Sequence, residues 1–154
     1  MTQTAQEHTF ETHGDTRIST TFSMPIGFPS LEGLSFKEKI HLGTAIGKFQ
    51  RPSVSLETMH AKTIMVQGCI QHPATVVNMQ TGEAETKIRT VFALQNGDCV
   101  SSTSQAVARF VQQLYTMFGT PTLGMWEECI PVLVLPQKTA RGGHTTYALS
   151  IAED

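Results

Sequence analysis

Residues 86–119, TKIRTVFALQNGDCVSSTSQAVARFVQQLYTMFG, decide the fold class. The opening stretch alternates: Ile88, Thr90, Phe92 and Leu94 share one face of an extended chain, and Lys87, Arg89, Val91 and Ala93 share the other. Asn96-Gly97 follows, and because a type I′ turn needs positive φ at both central positions, the pair predicts a tight hairpin. The segment CVSST, residues 99–103, then has to return beside the first strand. Beyond Ser104, a candidate N-cap, the periodicity becomes helical. Val107, Phe110, Val111, Leu114 and Phe118 fall on one side, and Arg109, Gln112, Gln113 and Thr116 on the other. Gly119 and Pro121 predict the stop.

Downstream, the connection TPTLGMWEEC leads to a predicted strand IPVLVLP (130–136), a loop QKTARGG (137–143) and a closing strand HTTYALSIA (144–152). Upstream, Lys62 to Gln71 alternates weakly, with Ile64, Val66 and Ile70 opposed to Met65 and Cys69. Gly68 and Pro73 interrupt it and ATVVNMQ (74–80) resumes it, which predicts one long strand bent so as to serve two sides of a small barrel. Residues 1–58 read as an N-terminal extension, loosely structured, with turn signals at Pro25, Gly27 and Pro29. Within it Ser35 is a candidate cap, but Gly43, Thr44 and Gly47 argue against a firm helix.

The expected fold is therefore mainly β: a five-stranded barrel of the oligonucleotide/oligosaccharide-binding (OB) type over residues 59–154, with one helix between strands three and four. A small α+β sandwich is the alternative with the same element order. At 154 residues and 40% hydrophobic content the chain has material for one core. A net charge of −2 does not by itself announce a polyanionic partner, so any such partner depends on local charge.

Cys69, Cys99 and Cys129 are widely spaced and odd in number, which fits free thiols in a reducing compartment, the cytoplasm, better than a disulfide framework. The polar start MTQTAQEHTFETHGDTR is not a signal peptide, and no apolar run is long enough to span a membrane. No C-x-x-C pair anchors a zinc site with Cys69 and His72, and no phosphate-binding glycine loop or dinucleotide fingerprint occurs. The cysteines lack any nucleophile motif. A catalytic role, a metal and a cofactor are accordingly not expected.

The stretch from Thr86 to Ile151, above all TVFALQNGDCVSSTSQAVARFVQQLYTMFGTP and the closing ARGGHTTYALSI, resembles the replication single-stranded DNA-binding proteins encoded by tailed bacteriophages. The shared pattern is a hydrophobic strand, an Asn/Asp-Gly turn, a Ser-containing strand leading into an amphipathic helix, and a hairpin with a basic, Gly-containing loop. It departs from that pattern at Cys99 and Val100, where members often carry an aromatic residue after the turn. The resemblance implies a protein, not an enzyme, that coats displaced single strands during phage replication in the host cytoplasm. It also implies replication proteins as further partners.

Binding single strands without sequence preference takes cations along the phosphates and flat side chains under the bases. Lys87 and Arg89 are candidates if Ile88, Phe92 and Leu94 turn inward, and an ordinary solvated strand face is the alternative. Lys138 and Arg141 lie in the loop before the last strand, which Gly142 and Gly143 keep open to close approach, and Lys62 stands on the first strand. Trp126, Tyr147 and His144 are candidate base contacts. Trp126 has acidic neighbours Glu127 and Glu128 and suits plugging the barrel end better than stacking, while Tyr147 alternates with Leu149 and Ile151, which favours the core. Two other functions fit the same barrel: a protein-interaction module, which the near-neutral charge suits, and an annealing protein.

Overall fold

The computed structural model describes Glu7 to Glu153 except residues 14–15, 22–24, 27, 51–52, 60–61 and 139–144, with backbone alone at 7–13, 16–21, 57, 136–138 and 145–147. The fold is mainly β, a sheet curled into a half-barrel with two helices. Its strands are β1 (Glu7–His13), β2 (Thr16–Thr21), β3 (Ser53–Ser55), β4 (Thr63–Asn78), β5 (Ala84–Leu94), β6 (Cys99–Ser102), β7 (Met125–Lys138) and β8 (Thr145–Ile151). Helix α1 (Phe36–Gly47) precedes β3, and α2 (Gln105–Phe118) lies between β6 and β7.

β4 organises the sheet. One edge pairs with β5 along most of its length, while the other pairs with β7 at residues 63–68 and with β2 at residues 75–78. A bulge between Val66 and Gly68 lets one strand turn from β7 toward β2. A side chain at Gly68 has no room there, because a Cβ would collide with the Gly124 carbonyl and the Met125 sulfur. Gly124 (φ +82°) is in turn pressed on the Phe49 ring, 2.8 Å from where a Cβ would stand, and its carbonyl accepts from Cys69 N at 2.8 Å. Its neighbour Leu123 takes φ +49°, a left-handed conformation that a bulky residue adopts only when its surroundings impose it.

The strands after residue 62 run in the predicted order with α2 between the third and fourth, but the sheet has eight strands rather than five. Among the described residues β6 and β8 do not pair, so the sheet is not closed through them. The free edge of β6 is taken instead by β3 in parallel register, Ser53 opposite Cys99, and α2 packs toward β8 and β5. The main core lies under α2, where Val107, Phe110, Val111 and Leu114 meet Val66, Phe92, Val100, Val132 and Val134. That face is the one the helical period predicts, except at the last turn, where Phe118, expected on the buried side, is exposed.

The segment expected to be a loose arm carries elements that join the fold: β2 extends the sheet, β3 covers an edge, and α1 is a twelve-residue helix. Ser35 and Glu38 form a capping box, Glu38 N donating to Ser35 Oγ at 3.1 Å and Ser35 N to Glu38 Oε1 at 3.3 Å. That reciprocal cap and the burial of Leu42, Ala45 and Ile46 offset the poor propensity of Gly43, Thr44 and Gly47. A second, smaller core follows on the other face of the sheet, where Phe49 packs with Ile70, Val91, Ala93 and Cys99, and Phe28 and Met125 lean on it.

Candidate nucleic-acid interface

Lys87 and Arg89 share a strand face, as the alternation predicts, but only Lys87 is presented to solvent. Arg89 is 3% exposed, whereas Ile88, expected to turn inward, is exposed. The reason is the second core. Both faces of the C-terminal half of β5 are covered, Phe92 and Leu94 by the α2 side and Val91 and Ala93 by Phe49. Arg89 closes the end of that second layer: Nη1 contacts His72 Nε2 at 3.0 Å, and Nη2 donates to Ser53 Oγ at 2.8 Å. A guanidinium only donates, so His72 Nε2 accepts and the imidazole proton sits on Nδ1, 3.1 Å from the Pro73 carbonyl. Ser53 Oγ also lies 3.2 Å from Ser101 Oγ. Arg89 therefore ties β3, β4 and β5 together; it is a structural cation and not a phosphate contact.

Lys87 is exposed and paired with Glu85 at 3.0 Å, an ion pair weakened by solvent. It lies beside the β4–β5 turn, opposite Ala74. Lys62 is exposed at the far end of β4, its carbonyl accepting from Val134 N at 3.0 Å. At about 3.3 Å per residue the two lysines lie up to about 40 Å apart along the strand. Lys138 is placed at the end of β7 opposite Thr145, on the Lys62 side of the sheet. Arg141 and His144 lie outside the described residues, as do the side chains of Lys138 and Tyr147; the backbone of Tyr147 pairs with Pro136. Among the described cations, the fold thus sets Lys87 and Arg89 toward one end of β4 and Lys62 and the backbone of Lys138 toward the other.

Trp126 is half-buried against the α2 core, its Nε1 donating to the Gly119 carbonyl at 2.9 Å and its ring tilted against Tyr115 with centroids 6.1 Å apart. It props the C-terminal end of α2. One side lines a cleft of about 370 Å³ together with Pro121, Met125, Glu127 and Glu128, and the carboxylates there disfavour phosphate. Cys69 and Cys99 are buried and Cys129 is partly exposed. Burial pushes the Cys69 thiol well above the ordinary thiol range, against a smaller opposing effect of a hydrogen bond with Tyr115, so it is poorly suited to act as a nucleophile. Among the described residues no group of His, Cys, Asp and Glu converges as metal ligands would, and no helix is long and apolar enough to cross a membrane.

The sequence reading missed the outward face of α1. Phe36 is 80% and Ile40 56% exposed, with Lys37, Lys39 and Lys48 exposed around them. The signal was available in Ser35-Phe36-Lys37-Glu38, a capping-box spacing that starts a helix at Phe36 and so aligns Phe36 with Ile40. Searches of protein-family models, curated proteins and solved structures find no significant match to this chain.

Proposed function

We propose that this protein binds single-stranded DNA without sequence preference, coating and protecting it during replication, on a half-barrel of the OB type. The phage replication proteins that its sequence resembles would then be its functional class, and replication proteins its further partners. The observation that carries the proposal is the strand arrangement around β4. A bent strand shared by β5 and β7, with a helix between the third and fourth strands, sets the β4–β5 turn and the β7–β8 loop at its two ends. OB proteins hold oligonucleotides on the face of their second and third strands between the corresponding loops. Here Lys87 stands by one loop and Lys138 at the other.

Binding of a labelled oligo-dT, followed by anisotropy with duplex DNA and RNA as competitors at low and high salt, tests this. The expected result is binding that duplex does not displace and that weakens with salt by about 0.7 in log–log slope for each phosphate contact. The Trp126 cleft, half apolar and rimmed by Glu127 and Glu128, favours a second reading, an assembly module for a protein partner. No binding of oligo-dT even at low salt would leave that reading in place of the first.

A further inference from the structure

The sheet face that an OB protein offers to its ligand is partly occupied here by the chain itself. Phe49 and Phe28 lie over Ile70, Val91, Ala93 and Cys99, and Ser53 meets Arg89 on the same side. The covering segment is anchored where α1 ends, by Phe49 and by a contact of Cys99 Sγ with the Lys48 carbonyl at 3.4 Å. A strand passing over this side of the protein therefore meets the cover and not the sheet.

The exposed side of α1, the helix that leads into Phe49, has the composition such a ligand requires. Phe36 and Ile40 stand exposed one turn apart, flanked by Lys37 on one side and Lys39 on the other, with Lys48 at the far end of the helix. Gly43 and Gly47 continue the stripe; a Cβ at either would meet nothing within 4 Å, and neither has positive φ, so nothing within the protein demands a glycine there. Beside the stripe a cup of about 460 Å³ is lined by Pro29, Leu34, Leu42 and the strained Leu123 together with Lys37, Glu38 and His41. Glu38, the one carboxylate on α1, reaches back to cap Ser35 N. Three lysines to one glutamate, in a chain of net charge −2, make this face an island of positive charge. A second copy of the chain would set lysines against lysines, whereas a polyanion satisfies them.

We infer that the outward face of α1 is the principal contact surface for single-stranded DNA, with a base stacked on Phe36, phosphates held by Lys37, Lys39 and Lys48, and a neighbouring base received by the Leu34–Leu42–Leu123 cup. The inference rests on the single-strand binding proposed above. From Phe36 to Lys48 the helix spans about 18 Å, in keeping with the small sites of about four nucleotides upward that single modules cover.

The test compares Lys37→Glu/Lys39→Glu/Lys48→Glu, Phe36→Ala and the control Arg109→Glu, on the exposed side of α2, in the oligo-dT titration at several salt concentrations. Melting of each variant checks the fold. The expected results are a loss of more than tenfold for the triple variant with a salt slope lower by about two, roughly tenfold for Phe36→Ala, and no change for Arg109→Glu. If the wild type binds and the two α1 variants bind equally well with an unchanged slope, the α1 surface is excluded while single-strand binding stands. If Arg109→Glu lowers the logarithm of the affinity by about a third of what the triple variant does, the effect is one of overall charge and the local site is overturned. A wild type that fails to bind oligo-dT overturns both proposals.

Discussion

Lys87 and Arg89 sit two residues apart on one strand face and have opposite environments, and mutation should separate them. Arg89→Ala removes the guanidinium bonds to His72 and Ser53 from a covered layer, which should cost about 2–3 kcal/mol. Lys87→Ala loses only a solvated pair with Glu85 and should leave chemical denaturation within about 0.5 kcal/mol of wild type. Equal midpoints for the two variants would show Arg89 to be exposed in solution. Charge reversal at both positions is consequently a poor probe of binding, since Arg89→Glu would bury a carboxylate. Cys69 yields a pH prediction. In the folded chain its thiol is held protonated far above the ordinary value of 9.0, while in the unfolded chain it ionises near that value. Above about pH 9 the unfolded state then holds fewer protons than the folded one, so stability falls as pH rises. Melting temperatures between pH 8 and 10 should show the decline, and Cys69→Ala should flatten it.

At the scale of elements, α2 was legible and α1 was not. In α2 the apolar residues at Val107, Phe110, Val111 and Leu114 coincide with the buried side, so periodicity alone located it. In α1 the largest apolar residues, Phe36 and Ile40, face solvent, while the buried side is made of Leu42, Ala45 and Ile46. A pattern read on the assumption that large apolar residues turn inward chooses the wrong side there. The bend in β4 was legible from Gly68, but its cause was not, because the colliding atoms belong to Gly124 and Met125, far along the chain. Gly68→Ala should therefore destabilise by about 1–3 kcal/mol. Gly43→Ala, with open space around it, should stabilise α1 by up to about 1 kcal/mol. Thermal melts of the pair should move in opposite directions, and a rise for Gly68→Ala would mean that the bulge does not pack as described.

For the molecule as a whole, the first fifty residues alter what the rest can do. The burial of Arg89 was not legible because it depends on Phe49 and Ser53, brought across from residues about forty positions earlier in the chain. The positive face of α1 was hidden by a net charge of −2, an average over the whole chain. Removing residues 1–30 should expose the β4 edge that β2 covers at residues 75–78, and it removes both Phe28 and the Ile26 N to Gln71 carbonyl bond of 2.8 Å. The expected result is a chain that keeps its helical circular dichroism but self-associates in size-exclusion chromatography, since an open strand edge is a template for pairing. A monomeric, cooperatively melting truncation would show the segment to be dispensable.

The division of one β4 edge between two partners also sets a timetable. Thr63 pairs with Leu133, 70 residues later, and a ribosome adding about 5–20 residues per second needs several seconds to deliver that partner. During that interval β5, β6 and α2 have already emerged and can collapse on β4 from one side. The nascent chain thus carries a half-finished sheet with residues 63–68 of that edge bare, and synthesis interrupted before Met125 leaves them permanently open to other chains.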